Sequence, residues 1–180
     1  GFYFDPHWSP DSKHVLYRDK TNRWCFVTIE GGEVTQISRN EGSLGVVSGQ
    51  ARWSPDSKWI AYESRNPRTL YDSVVLYSVE SGASTIVSDG FGNADGPCFS
   101  ADGKYLFFAA SVDRGPRNFG LDMSASAARR GSDSLYYVAL RKSTKALLRP
   151  RSDEGYTAKK ASAKPSKKGD AKKTEDAKAK

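Results

Sequence analysis

The side chains with chemistry to offer are two histidines, a recurring serine, one Asp-rich stretch and a cluster of arginines. His7 and His14 stand beside Trp8 and Val15, without a cysteine or second histidine at metal-ligand spacing, so neither reads as a ligand or a general base. Ser9, Ser54 and Ser100 each recur in the same turn. No Gly-x-Ser-x-Gly occurs, and a serine without a positioned base and oxyanion donors is not an active site. "DGFGNADGP", residues 89–97, fails the EF-hand spacing, because aligning Asn93, Asp95 and Gly96 puts Phe91 where an oxygen ligand is required. It reads as a turn between repeats. No catalytic residue, metal site or cofactor is expected in these 180 residues.

The arginines are more informative. Residues 111–133, "SVDRGPRNFGLDMSASAARRGSD", hold Arg114, Arg117, Arg129 and Arg130 together with Phe119, Leu121 and Met123. Two readings stand side by side: the guanidinium groups contact an acidic peptide terminus or a neighbouring domain, or the apolar residues cover a rim while the arginines stay solvated.

The elements that position these residues are set by a repeat. "PHWSPDSKHVLY", "ARWSPDSKWIAY" and "PCFSADGKYLFF" place Trp8, Trp53 and Phe99 at intervals of 45 and 46 residues. In each copy the chain is directed to turn. Pro10 and Pro55 preset φ, Asp11, Asp56 and Asp102 bond back to the backbone, and Gly103 occupies a position favouring φ > 0 that Ser12 and Ser57 take in the other copies. Short strands apolar on both faces follow at 14–17, 59–62 and 105–108, as suits sheets stacked between sheets. Second strands are predicted at 23–30, 72–80 and 133–140, and third strands at 33–38, 83–88 and 145–149. The apolar edge before each Trp-Ser or Phe-Ser supplies a fourth. The expected fold is all-β: a β-propeller fragment of about three four-stranded antiparallel blades, near residues 7–50, 51–97 and 98–150, with the 111–133 insertion in the third. Three blades do not close a ring, so further blades are expected upstream, and Cys25 and Cys98 are expected as buried free thiols.

Residues 151–180 are a charged, low-complexity linker expected to be disordered. From Arg149 onward there are 11 Lys/Arg and 5 Asp/Glu, so most of the formal charge of +7 lies here and the rest is nearly balanced. A basic arm for nucleic acid is therefore not the favoured reading, since the blades add neither a basic face nor a base-stacking motif. No apolar run is long enough to span a membrane, and "GFYFDPHWSP" reads as the interior of a longer chain.

The Trp-Ser-Pro-Asp-Ser-Lys unit, lacking the His and Trp-Asp signatures of WD repeats, resembles the WD-like repeats of tricorn protease and of the periplasmic Tol-system propeller. "LFFAASVDRG", "NFGLDMSAS" and "SLYYVALRKSTKALLRPRSDEG", within residues 106–155, look like the last blade and exit of the propeller in bacterial tricorn-like serine peptidases. The resemblance implies a propeller that filters peptides for a PDZ domain and a serine catalytic core beyond Lys180, with homo-oligomeric assembly; the compartment, cytoplasmic or periplasmic, is left open by these residues. A Tol-type binding platform and the propeller of a prolyl-oligopeptidase-type enzyme are the alternatives.

Overall fold

The computed structural model describes residues 3–38, 49–113, 117–118, 121–122 and 132–148. It divides the chain into a unit of residues 1–146 and a second of 147–180. The expected tail at 151–180 lies outside the described residues.

Strands are the only regular elements among the described residues. The first sheet comprises β1 (Tyr3–Trp8), β2 (His14–Asp19), β3 (Trp24–Thr28) and β4 (Val34–Gln36), hydrogen-bonded in chain order. A second repeats the arrangement with β5 (Ala51–Trp53), β6 (Trp59–Arg65), β7 (Asp72–Ser78) and β8 (Ser84–Ile86). In the third, β9 (Asn93–Phe99) and β10 (Tyr105–Ser111) pair as before, β13 (Ser134–Ala139) takes the far side of β10, and the two-residue strands β11 (Arg117–Asn118) and β12 (Leu121–Asp122) pair within the insertion. All pairs are antiparallel.

The recurring turn is a closed hydrogen-bond unit. Ser9, Ser54 and Ser100 Oγ each donate to the aspartate two residues on at 2.6 Å. The same aspartate oxygens accept the amides of Lys13, Lys58 and Lys104, and the serine oxygens accept those of His14, Trp59 and Tyr105. Each serine thus couples the start of the turn to the first residue of the next strand. These bonds favour the ionised acid: Ser9 and its neighbours lower Asp11, and Ser100 with Lys104 takes Asp102 down to about 2. Their contribution is present above the ordinary value of 3.8 and lost as pH falls through the lowered values. Ser12, Ser57 and Gly103 have φ of 60°, 59° and 65°, the left-handed conformation the repeat requires.

Strand alternation sends one column of each sheet forward and the other back. Leu16, Trp24 and Phe26 of the first sheet meet Ile60, Tyr62, Val75 and Tyr77 of the second. The opposite face of the second sheet, with Ala61 and Val74, meets Ala94, Leu106 and Phe108 of the third. Leu16, Ile60, Val74 and Leu106 are fully buried. Polar ties cross the first seam: Ser57 Oγ accepts the Asp11 amide at 3.1 Å, and the Tyr62 hydroxyl donates to Ile37 O at 3.2 Å.

Three local expectations are corrected. Residues 145–148 form no strand, so the third sheet has three strands among the described residues rather than four. Lys and Ala, poor strand formers, stand where β8 has Ser-Thr-Ile, and Leu147 and Leu148 remain exposed. Cys25 is buried, but Cys98 is exposed because it pairs with Phe107 on the face of the third sheet turned away from the second. Residues 93–97, expected within a turn, are the first part of β9. The strand continues there through a bulge, with Gly96 at φ 64° and the register shifting between Phe107 and Ala109.

The turn makes a prediction about two serines in equivalent positions. Ser12→Gly relieves a left-handed side chain and is expected to stabilise the chain by about 0.5–1 kcal/mol. Ser57→Gly relieves the same strain but removes the acceptor of the Asp11 amide, so no gain is expected. Urea denaturation of both variants checks the contrast; equal gains would show that the Ser57 tie contributes nothing.

Candidate functional site

In an up-and-down sheet the connections alternate between two ends. The Ser-Asp turns occupy one end. At the other lie 20–23, 66–71, 87–92 and the long excursion between β10 and β13. This loop end is the candidate functional face, because it carries the insertion.

Each sheet is stapled there by polar groups joining its second and third strands. In the first, Asp19 holds Arg23 through both Nε at 2.8 Å and Nη2 at 2.6 Å and also accepts from Thr21. Against desolvation, which would raise it, the Arg23 and Thr21 hydrogen bonds bring the Asp19 carboxyl down to about 2. In the second sheet Arg65 Nε donates to Asp72 at 3.0 Å. The third uses Asp113. It accepts from Ser111 Oγ at 2.5 Å and from the amide and hydroxyl of Ser132, the hydroxyl at 3.0 Å. The hydrogen bonds from Ser111 and Ser132 lower its pKa. Asp113 therefore closes the base of the insertion across 19 residues.

The insertion stem is coupled to the neighbouring sheet. Ser111 pairs with Asn93, whose Oδ1 accepts the Asp72 amide at 3.1 Å. Gly92 packs against this stem so closely that a Cβ would lie 2.0 Å from Ser111 O, leaving room only for glycine. Phe91 and Val112, next to that contact, are exposed.

The predicted arginines are only partly placed. Arg117 lies in β11, opposite Asp122 of β12, so the insertion contains a short hairpin rather than a plain loop. Arg114, Arg129 and Arg130, with Phe119 and Met123, lie outside the described residues. The repeat residues are placed in full. Trp53 is buried between the first two sheets, and its indole donates to His7 O at 3.4 Å. Trp8, in the same repeat position, is 62% exposed because its face of the first sheet has no described sheet against it. Phe99 packs against the second core, while Pro10 and Pro55 lie exposed at the turns. His14 stacks on Trp53 at 5.8 Å and meets Phe26 edge-on, and its Nδ1 lies 3.3 Å from the hydroxyl of Thr28, its cross-strand partner. Among the described residues no group of three or more His, Cys, Asp or Glu is arranged to hold a metal ion.

Sequence reasoning missed Asp113 and Glu63. Glu63 is half-buried on β6, two residues beyond fully buried Ala61, and its Oε1 accepts the Gly96 amide at 2.8 Å across the second seam. Burial first, and then Asp95 and Asp72, push its carboxyl up to about 7, against the lowering effect of hydrogen bonds from Gly96 and Gln50. The signal was present in the repeat alignment: Arg18, Glu63 and Ala109 share one position in a column otherwise suited to apolar residues.

Among solved structures the chain is similar to tricorn protease, at 19% identity with a TM-score of 0.61, over 84% of this chain and 15% of that one. The fold is that of propeller blades. A TolB-type protein from Agrobacterium tumefaciens matches at 20% identity and a TM-score of 0.50, over 77% of this chain and 45% of that chain. The propeller blades described here thus span less than half the length of either structure. No family model matches the chain, and no curated protein does.

The clamp at the insertion's base is testable. Asp113→Ala should raise the rate of tryptic cleavage within 114–131 roughly fivefold, with little change in the melting temperature. Mass spectrometry of a digestion time course reads this out, and an unchanged rate would contradict the clamp.

Proposed function

We propose that these blades form part of a peptide-gating propeller in a tricorn-like serine peptidase, with hydrolysis carried out by a catalytic domain outside these 180 residues. The observation that carries the reading is the insertion: it interrupts the third blade at the loop end, bears four arginines in its sequence, and is closed at its base by Asp113. The fold shared with tricorn protease and the resemblance of residues 106–155 to the exit of tricorn-like propellers support it.

Physically, a propeller ring leaves a channel that admits an unfolded chain and refuses a folded one. Arginines in the insertion suit carboxylates, since a guanidinium offers paired donors to a planar acceptor. In this reading they engage the acidic terminus of a peptide or dock a PDZ or catalytic domain of the same protein. Homo-oligomeric assembly belongs to the same proposal. A Tol-type platform would use the same face for a folded partner and would need no catalytic domain.

Fluorescence anisotropy separates the two. An unstructured peptide with a free carboxyl terminus should bind the chain, and replacing Arg114, Arg117, Arg129 and Arg130 by Ser should weaken binding about tenfold, or roughly 1.4 kcal/mol. Capping the peptide as its amide should have a similar effect. Equal binding of capped and uncapped peptides by both proteins would overturn the carboxylate role, and preference for a folded partner would favour the platform.

A further inference from the structure

The two seams between blades are built differently. The first is closed by aromatic packing of His14, Phe26, Trp53 and Tyr77, with neutral hydrogen bonds from the Tyr62 hydroxyl and the Asp11 amide. The second holds a carboxylic acid. Alternation along β6 puts Glu63 in the same column as Ala61, whose face packs on Ala94, Leu106 and Phe108. Its cross-strand partner on β7 is Val74, which is fully buried.

The acceptor is matched to a donor that the fold itself releases. In β9 the register shift leaves Gly96 and Pro97 opposite Phe108, and Gly96 takes φ 64°. Such a bulge turns an amide out of its own ladder. The Gly96 amide points across the seam and is satisfied by Glu63 Oε1. The equivalent bulge in β1 carries Asp5 at φ 51° followed by Pro6, and there Arg18, the counterpart of Glu63, bonds Asp5 within its own blade. At this repeat position Glu63 of the second blade reaches forward into the bulge of the third.

Among the described residues the charged groups around Glu63 do not favour its ionisation. Asp95 approaches from β9 and Asp72 from β7, and both raise its pKa. Arg65, the cation two residues along β6, donates to Asp72. Arg52 of β5 turns to Ala51 O and Gln50 Oε1. β10 contributes no charged side chain.

From this geometry we infer that Glu63 is a proton-operated latch: its ionisation sets an anion in the apolar seam beside Asp95 and Asp72, a cost that the Gly96 amide only partly offsets, and so loosens the blade that carries the insertion. The route to the insertion is short, since Asn93 of the same β9 strand bonds the Asp72 amide and pairs with Ser111 at the insertion's base. The sign is set by the raised value. With an ordinary value of 4.5 in the unfolded chain and about 7 in the fold, the contribution of the neutral acid is fully present below about 4.5 and lost as pH rises through about 7. The inference is independent of whether the propeller serves a peptidase.

Two measurements on the whole chain test it. In an NMR titration, the Glu63 side-chain carboxyl and the Gly96 amide should move together with a midpoint near 7. Melting temperatures should fall by about 5 °C between pH 5 and pH 8 in the unaltered chain, and the fall should be largely absent in Glu63→Gln, which keeps the shape and the acceptor without the charge. The difference between the two profiles isolates Glu63 from every other titrating group. A Glu63 midpoint near 4.5, or the same pH dependence in both proteins, overturns the latch. Should Glu63→Gln fail to fold, the titration of the unaltered chain decides alone.

Discussion

A sheet that is apolar on both faces has no stable place in water until another sheet covers each face, and the organisation of this chain follows from that constraint. The second sheet shows the constraint met: Ile60 and Val75 are buried on one side, Ala61 and Val74 on the other. Burial of this kind, at roughly 25 cal/mol per Å² of apolar surface, is the largest favourable contribution available to such a stack. The Ser-Asp turn serves it by fixing where each strand reverses, so that the next strand enters the sheet with the correct column facing its neighbour. A shift of one residue would exchange Ile60 for Ala61 across the seams.

Where the stacking requirement is relaxed, polar chemistry enters. At the loop end the strands are held by Asp19 with Arg23, Arg65 with Asp72, and Asp113 with Ser111 and Ser132, each joining strands rather than filling a core. The third of these tolerates a long insertion because it closes the stem independently of what lies between. Arg18 and Glu63, which share one repeat position, are charged or titratable groups placed in the packing itself.

The repeat made much of this legible in the sequence. Trp-Ser-Pro-Asp-Ser-Lys carries the turn, its left-handed residue and the strand that follows, and all three copies form the same hydrogen bonds. Residues 145–148 were less legible because periodicity predicts a strand wherever the interval demands one, whereas Lys-Ala-Leu-Leu has weak strand preference. Cys98 illustrates a second gap: apolar surroundings in sequence do not say which face a residue occupies, and one bulge at Gly96 decides the alternation beyond it. The seam contact between Glu63 and Gly96 joins residues 33 apart on different sheets, a relation that spacing within either repeat does not encode.

The central claim is that each blade is stable only through its neighbours, and native-state hydrogen exchange on a Leu106→Ala variant tests it most directly. Leu106 is fully buried in the core shared by the second and third sheets. Its truncation should cost about 2–5 kcal/mol and lower amide protection in β6 and β7 together with β9 and β10. Loss of protection confined to β9, β10 and β13, with β6 and β7 unchanged, would contradict the account.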